Sequence, residues 1–224
     1  MKRLACAVLA LLAGLGARAQ DAPFPDEPDQ LVKKLEARLI AARHVAIEAS
    51  LQAEGLVSGK LAGRSDWQDR NRASASYRGD LAGKAAELKL SSDGRVLELH
   101  GSQQVRREAP GKESNRADLV SFVRMGLSHN LLRLSIAQAP EHGAGGIEDW
   151  VVLDSFRPMT YAQEGELQGS MSFGYDLLVA DAVVGSVRLW LDPATGLPRR
   201  RLVILNSPQG ESRVTEDYIR FVVE

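Results

Sequence analysis

An alternation of apolar and polar residues from Ser186 to Val203 constrains the fold more than any other feature of this sequence. Val187, Leu189 and Leu191 occupy every second position, which is the period of a strand with one buried face. The turn that follows is Asp192 to Gly196, where proline fixes φ early and glycine accepts the positive φ that closes the reversal. The stretch therefore predicts a β-hairpin that forms one wall of an antiparallel sheet.

Other alternating stretches, separated by polar turns that contain glycine, predict short strands along most of the chain. Asp93-Gly94, between two of these stretches, is a strong hairpin signal. The predicted strands are 45–51, 56–63, 72–78, 85–90, 95–100, 149–156, 159–164, 170–179, 186–192, 197–206 and 213–222. Sequential hairpins pair antiparallel, and so many strands must curl to bury one face. The expected fold class is α+β, mainly β: an incomplete antiparallel β-barrel of about ten to eleven strands.

Two stretches change to the period of a helix. Leucines recur every four residues from Leu31 to Leu39, which predicts an amphipathic N-terminal helix over 29–43. A broad apolar stripe over 115–138 predicts a second helical region, which Gly126 and Ser128 break into two shorter helices. Because an open sheet with an apolar face must be covered, we expect this central region to form a helical lid.

The N-terminus has the pattern of a secretory signal peptide. Lys2 and Arg3 precede a short apolar run that ends in small residues around Ala19, where we expect cleavage. The run is too short to serve as a permanent membrane span. The expected organisation is a signal peptide at 1–19, an extended segment at 20–28 and a single domain at 29–224.

The predicted mature chain is acidic and contains no cysteine. Cys6 is the only cysteine and lies within the signal peptide, so we expect neither a disulfide nor a thiolate metal site. Removal of residues 1–19 takes away three basic residues, so 28 bases and 29 acids become 25 and 29, a net charge near −4. The one basic cluster, Arg199 to Arg201, is expected to be a solvated strand edge. Nucleic acid, which needs a concentrated basic face, is therefore excluded as a partner.

The sequence carries no complete catalytic or metal-binding motif. The histidines, none of which has the spacing of zinc ligands, are His44, His100, His129 and His142. Asn130 stands where the glycine of a nucleophile elbow would have to follow Ser128. The carboxylates that lie near one another in sequence are Asp149, Asp154, Glu164 and Glu166. Acids at strand ends and in loops are typically solvated, so we expect no catalytic residue, no metal and no cofactor.

Three motifs together resemble the periplasmic outer-membrane lipoprotein carrier (LolA-like) superfamily, the outer membrane lipoprotein-sorting proteins. The first is Ser91 to Leu97, SSDGRVL, and the second is Leu189 to Pro198, LWLDPATGLP. The third is the closing strand Arg213 to Tyr218, RVTEDY, and the order of leader, helix and strand also agrees. These motifs mark turns, so they indicate a fold more than a function.

The resemblance implies a half-barrel closed by a helical lid, with an apolar interior that binds a lipid or a lipoprotein acyl chain. On this view a monomer exchanges cargo with inner- and outer-membrane sorting proteins. The residues expected to line the cavity are Phe122, Val123, Leu127, Phe173, Tyr175, Leu177, Val187, Leu189 and Leu191. Trp190 would then lie on the outer face. The superfamily's functional arginine lies in an early strand beside a proline. The comparable region of this chain has no proline, and Arg70 or Arg72 could take the place of that arginine.

Two other functions are compatible with the same fold. An envelope protein-interaction or lipid-sensing module would have a packed interior and would bind a partner on its surface. A hydrolase would assemble its site only in three dimensions, which predicts buried and convergent carboxylates or histidines.

Overall fold

The computed structural model describes residues 26–69, 72–101, 104–109, 112–135 and 147–224, with the backbone alone at 112–117, 132–135 and 148–149. The predicted signal peptide at 1–19, Arg70 and His142 lie outside the described residues. None of the helices in the described ranges is long and apolar enough to cross a membrane.

Helix α1, Pro28–Ala41, begins with a proline in its first turn, where a missing N–H costs no hydrogen bond. Its apolar stripe is buried at Val32, Leu35 and Leu39, as the period of four predicted. The other described helices are α2 Lys112–Met125, α3 Leu127–Ser135 and α4 Ile147–Trp150. The break between α2 and α3 falls at Gly126, which confirms the predicted interruption.

The strands form one antiparallel sheet that does not close into a barrel. They are β1 His44–Gly55, β2 Gly59–Gln68, β3 Arg72–Leu81, β4 Lys84–Asp93, β5 Val96–His100, β6 Gln104–Glu108, β7 Val151–Asp154, β8 Thr160–Tyr161, β9 Met171–Val179, β10 Ala182–Leu191, β11 Pro198–Ser207 and β12 Gly210–Val223. Their order is β6-β5-β4-β3-β2-β1-β12-β11-β10-β9-β7, and β8 also pairs with β9. The expected class, an α+β and mainly β incomplete barrel with an N-terminal helix and central helices, is confirmed.

The sequence analysis misjudged the sheet near both of its edges. The described residues contain twelve strands rather than ten to eleven, because β6 was not predicted. The predicted strand 149–156 begins instead with the single turn of α4. Strand β7 follows α4 directly and ends before Ser155, which has a positive φ of 53°. The chain still follows β9 there, since the Arg157 N–H donates to the Gly174 carbonyl at 2.8 Å.

The inward face of the sheet and the helices share one apolar core. Alternate residues of β1 are buried, from Val45 to Leu51, and so are those of β10. Phe122 of α2 packs edge-on against Tyr218 of β12, with ring centroids 5.9 Å apart. The helices therefore cover the side of the sheet that the curl leaves open.

His44 joins three segments at the end of the sheet where β1 begins. Its Nε2 lies 2.9 Å from a carboxylate oxygen of Asp66 in β2, and its Nδ1 lies 3.3 Å from a carboxylate oxygen of Glu224. The Asp66 contact, followed by the Glu224 contact, raises the pKa of His44 above its ordinary value. Protonated His44 therefore stabilises the junction of β1, β2 and the end of β12.

Raising the pH is expected to weaken these His44 contacts. Because the pKa in the folded protein lies above the unfolded value of about 6.5, the stabilisation is fully present below about pH 6.5. It is lost as the pH rises through the folded pKa. His44→Gln should therefore flatten the pH dependence of the free energy of unfolding between about pH 5 and about pH 8.

The matched control is His100→Gln, a histidine at the exposed end of β5. When unfolding is followed by urea titration at each pH, this control should flatten the pH dependence less than His44→Gln does. Equal flattening in both variants would contradict a specific role for His44.

Candidate functional site

All nine side chains predicted to line a cavity are buried on the inner side of the half-barrel. Each is at most 2% exposed, and together they belong to one hydrophobic cluster. Strands β9 and β10 contribute six of them, and four of these form cross-strand pairs: Phe173 lies opposite Leu189, and Tyr175 lies opposite Val187. The remaining three come from the helices, with Phe122 and Val123 on α2 and Leu127 at the start of α3. The residues predicted to line the interior are thus buried in one cluster, and their binding of a ligand stays a prediction.

The joint between α2 and α3 approaches the sheet very closely. Gly126 at this joint has a φ of +93°, and a Cβ atom there would lie 2.6 Å from Oε1 of Glu216 and 3.0 Å from Cδ of Arg201. Glycine satisfies both the positive φ and the lack of space. The two charged side chains beneath it come from neighbouring strands, Glu216 from β12 and Arg201 from β11.

Glu216 caps the N-terminus of α3 from inside the core. Its carboxylate accepts hydrogen bonds from the N–H groups of Leu127 at 3.0 Å and Ser128 at 2.7 Å, and from the Ser128 hydroxyl at 2.6 Å. The Tyr218 hydroxyl also donates to it. A carboxylate at this position satisfies N–H groups that lack helical partners and faces the positive end of the helix dipole.

Arg201 caps the opposite helix end at the same joint. Its Nη2 donates to the Val123 carbonyl at 2.5 Å, and its Nη1 donates to the Arg124 carbonyl at 3.2 Å and to the Tyr175 hydroxyl at 3.0 Å. Its Nε lies 3.8 Å from Oε2 of Glu216. Both charged side chains are 0% exposed. The pair therefore fixes two consecutive helices to the floor of the half-barrel through their facing ends, and we call Arg201 and Glu216 the lid anchor.

The surroundings of the lid anchor raise the pKa values of Tyr175, Tyr218 and Arg201. Burial raises the pKa of Tyr175, although the Arg201 charge opposes this effect. Burial and the adjacent Glu216 carboxylate raise the pKa of Tyr218 well above its ordinary value, so its hydroxyl keeps the proton that it donates. Burial alone would lower the pKa of Arg201, but Tyr175, Tyr218 and Glu216 hold it above its ordinary value.

A second ion pair ties the helices to each other at the rim of the lid. Arg124 of α2 donates to Glu36 of α1 at 2.8 Å and to the carbonyl of Val151 at 2.6 Å. The Arg124 and Glu36 side chains are each 14% exposed, so this contact is more accessible to water than the lid anchor.

The expectation that Arg199 to Arg201 form a solvated strand edge is wrong. Strand β11 lies inside the sheet between β10 and β12, and Arg201 points inward. Period-two alternation alone would place at least one of the three arginines on the buried face, but a charged residue there goes against the ordinary preference for water. The missing partner, Glu216, alternates with apolar Val214 and Tyr218 in the same way, and that signal could have been recognised.

The other candidate residues stay separate from this site. Arg72 is exposed at the start of β3, where it pairs with Asp69, and Arg70 lies outside the described residues. Trp190 is half-buried on the outer face, as predicted, with the Arg188 guanidinium 5.1 Å from its ring centroid. Within the described part of the chain, no three metal-ligating side chains lie close enough together to hold a metal ion.

Comparisons with known proteins give matches among solved structures alone. No family model matches this chain, and no curated protein matches it. The matching structures include a MucA/MucB complex from Pseudomonas aeruginosa, at 12% identity and a TM-score of 0.40 over 87% of this chain and 56% of that one. They also include an outer membrane lipoprotein-sorting protein domain from Vibrio parahaemolyticus, at 8% identity and a TM-score of 0.32 over 87% of this chain and 91% of that one.

A LolA superfamily protein from Nitrosomonas europaea also matches, at 9% identity and a TM-score of 0.32 over 88% of this chain and 93% of that one. LolA superfamily proteins are thus among the solved structures that this chain resembles. It is the superfamily that the sequence motifs resemble. The chain spans little more than half the length of the MucB chains.

Proposed function

We propose that this protein is a non-enzymatic periplasmic carrier or chaperone that holds a lipoprotein acyl chain or another lipid inside the half-barrel. The observation that carries the proposal is the way in which α2 and α3 cover the sheet. Their buried side chains belong to the same hydrophobic cluster as those of β9 and β10, Phe122 packs against Tyr218 of β12, and the lid anchor supplies charged contacts at one joint. Apolar contacts between lid and sheet can be exchanged for similar contacts with an acyl chain.

The energies are compatible with reversible loading. Each methylene group of an acyl chain that leaves water contributes about 0.8 kcal/mol. An acyl chain that displaces the lid therefore restores much of the free energy that is lost with the lid contacts. The lid anchor sets the position to which the lid returns, because Arg201 binds the end of α2 and Glu216 binds the start of α3. Inner- and outer-membrane sorting proteins would then supply and accept the cargo.

One observation favours a second function. All nine lining residues are fully buried by neighbouring side chains, as expected for an interior that is already packed. In that case the protein would be an envelope protein-interaction or lipid-sensing module that binds a partner on its surface. The hydrolase alternative has less support, since the buried carboxylate of Glu216 is occupied by an ion pair and four hydrogen bonds.

Lipid extracted from the full-length protein, after purification from a Gram-negative host, distinguishes the two functions. The carrier proposal expects an acylated molecule to co-purify and to be identified by mass spectrometry. Rebinding after delipidation should also speed hydrogen exchange in α2 and α3 relative to β9 to β11. A stable protein partner with no lipid and no change in exchange would favour the interaction module instead.

Filling the interior is expected to weaken lipid binding. Leu177→Trp places an indole on the inner face of β9, where Leu177 is 0% exposed. Each acyl methylene group that is excluded should reduce affinity roughly fourfold. The measurement is a titration of the delipidated protein with a fluorescent fatty acid.

Leu178→Trp provides the matched control, because Leu178 follows on the same strand and points to the opposite face. It is half-buried and lies opposite Val152 and Val183, both of which are exposed. This variant should bind as the wild type does. Equal binding by all three proteins would remove the support for an interior site.

A further inference from the structure

A group of arginines surrounds Trp190 on the outer face of the sheet, the side away from the lid. In the register of β9, β10 and β11, Trp190 lies opposite Ser172 on one side and Arg200 on the other. Opposed residues of neighbouring strands share a face. Arg188 stands two positions before Trp190 on β10 and therefore lies on the same face.

A β-bulge adds a third arginine to this group. Trp190 pairs with Arg200 and Leu191 pairs with Pro198, so Arg199 is an extra residue without an opposite neighbour. Arg199 and Arg200 consequently both contact Glu166, which lies between β8 and β9. Arg199 donates to the Glu166 carbonyl at 3.0 Å, and Arg200 lies 3.5 Å from the Glu166 carboxylate.

Two of these arginines have polar anchors but no carboxylate partner. Arg188 donates to the Ser172 hydroxyl at 3.3 Å and packs over Trp190, while Arg199 donates to the Ser170 hydroxyl at 2.9 Å. Within the described ranges, no carboxylate oxygen lies within 4.0 Å of either guanidinium. Arg200 differs, because it pairs with Asp217 and with Glu166.

The nearby carboxylates make their direct contacts with groups other than the Arg188 and Arg199 guanidinium groups. Asp192 is within electrostatic range of Arg199, but its Oδ1 already accepts hydrogen bonds from Ala194 and Thr195. Asp176 pairs with Arg157, whose side chain lies over Gly174. With Asp192 included, four acids accompany the four arginines of this surface, but Asp176 and Asp217 pair with Arg157 and Arg200 rather than with Arg188 or Arg199.

We propose that Arg188 and Arg199 form a binding site for a phosphate-type oxyanion on this outer face. Ser170 and Ser172, which hold the two guanidinium groups, are both buried and lie two positions apart, roughly 7 Å along an extended chain. One tetrahedral anion between the groups can accept hydrogen bonds from both, since a guanidinium presents a fork that matches phosphate oxygens. The anion is a free phosphate or the phosphodiester of a lipid headgroup, and the site does not depend on whether the interior binds lipid.

Two probes and two double variants test the site. Calorimetric titration of the full-length protein with inorganic phosphate, and flotation with phosphatidylcholine vesicles that contain or lack phosphatidylglycerol, distinguish the two sources. R188Q/R199Q should weaken binding by about tenfold for each arginine. R78Q/R213Q removes the same charge from exposed arginines that pair with Glu87 and Glu211, and it should bind as the wild type does.

Each outcome decides the proposal. Phosphate binding that is lost in R188Q/R199Q alone supports the site and identifies free phosphate as sufficient. Binding to phosphatidylglycerol vesicles alone, lost in the same variant, supports it and identifies the headgroup. Equal losses in both double variants would show general charge attraction and overturn the site, as would failure to bind either probe. Unfolding midpoints and the single variants R188Q and R199Q confirm that any loss does not come from misfolding.

Discussion

Arg201→Met is expected to lower the free energy of unfolding by about 3–5 kcal/mol, because it removes the ion-pair partner of Glu216 inside the core. The same change removes the donors that satisfy the carbonyls of Val123 and Arg124 at the end of α2. Both losses act at the lid joint. Urea denaturation followed by circular dichroism measures the total.

Arg200→Met is the matched control for this prediction. Arg200 is the adjacent residue, but its side chain is 28% exposed and its ion pair with Asp217 lies on the outer face. Exposed pairs contribute about 0–1 kcal/mol, so the control should change stability little. The double variant R201M/E216L should recover part of the loss, since a buried pair replaced by apolar residues leaves no unpaired charge. Equal destabilisation by R201M and R200M would contradict the anchor.

Gly126→Ala is expected to produce the next largest effect. A non-glycine residue with positive φ costs of order 1–3 kcal/mol, and here the new methyl group would also lie 2.6 Å from Oε1 of Glu216. The carboxylate cannot move away without losing the N–H groups of Leu127 and Ser128. We therefore expect a total loss larger than the φ strain alone, together with faster hydrogen exchange in α3.

Gly169→Ala separates strain from steric overlap. Gly169 has a similar φ of +78°, but nothing lies within 4 Å of the position that its Cβ would take. This variant should show only the strain of the backbone. If the two alanine variants lose the same stability, close packing at the lid joint is not important.

The sequence was sufficient to predict the features that depend on local pattern. The alternation of Val187, Leu189 and Leu191 indicated the inner face of β10, and Gly126 indicated the break in the helical region. Both follow from the period of a strand or from backbone preference, which a short stretch of sequence determines. The burial of the nine residues predicted to line a cavity follows from the same patterns, since each lies on an apolar stripe.

The features that depend on distant contacts could not be predicted in the same way. The role of Arg201 requires Glu216 and two helix ends that are far away in sequence. The local pattern therefore predicted that Arg201 would be exposed to solvent at a strand edge. The bulge that keeps Arg199 beside Arg200 on the outer face depends on how β11 pairs with β10. Strand β6 was missed because Gln104–Glu108 is polar at four of its five positions and pairs with β5 alone.

The position of β12 has a consequence for how the protein is made. This strand pairs with β1 on one side and β11 on the other, so it is the only link between the two strand meanders among the described residues. A nascent chain that lacks residues 210–223 can form each meander but cannot join them. Long-range pairing of this kind folds slowly compared with local hairpins. In newly synthesised chains the two meanders are therefore expected to stay unpaired until β12 emerges.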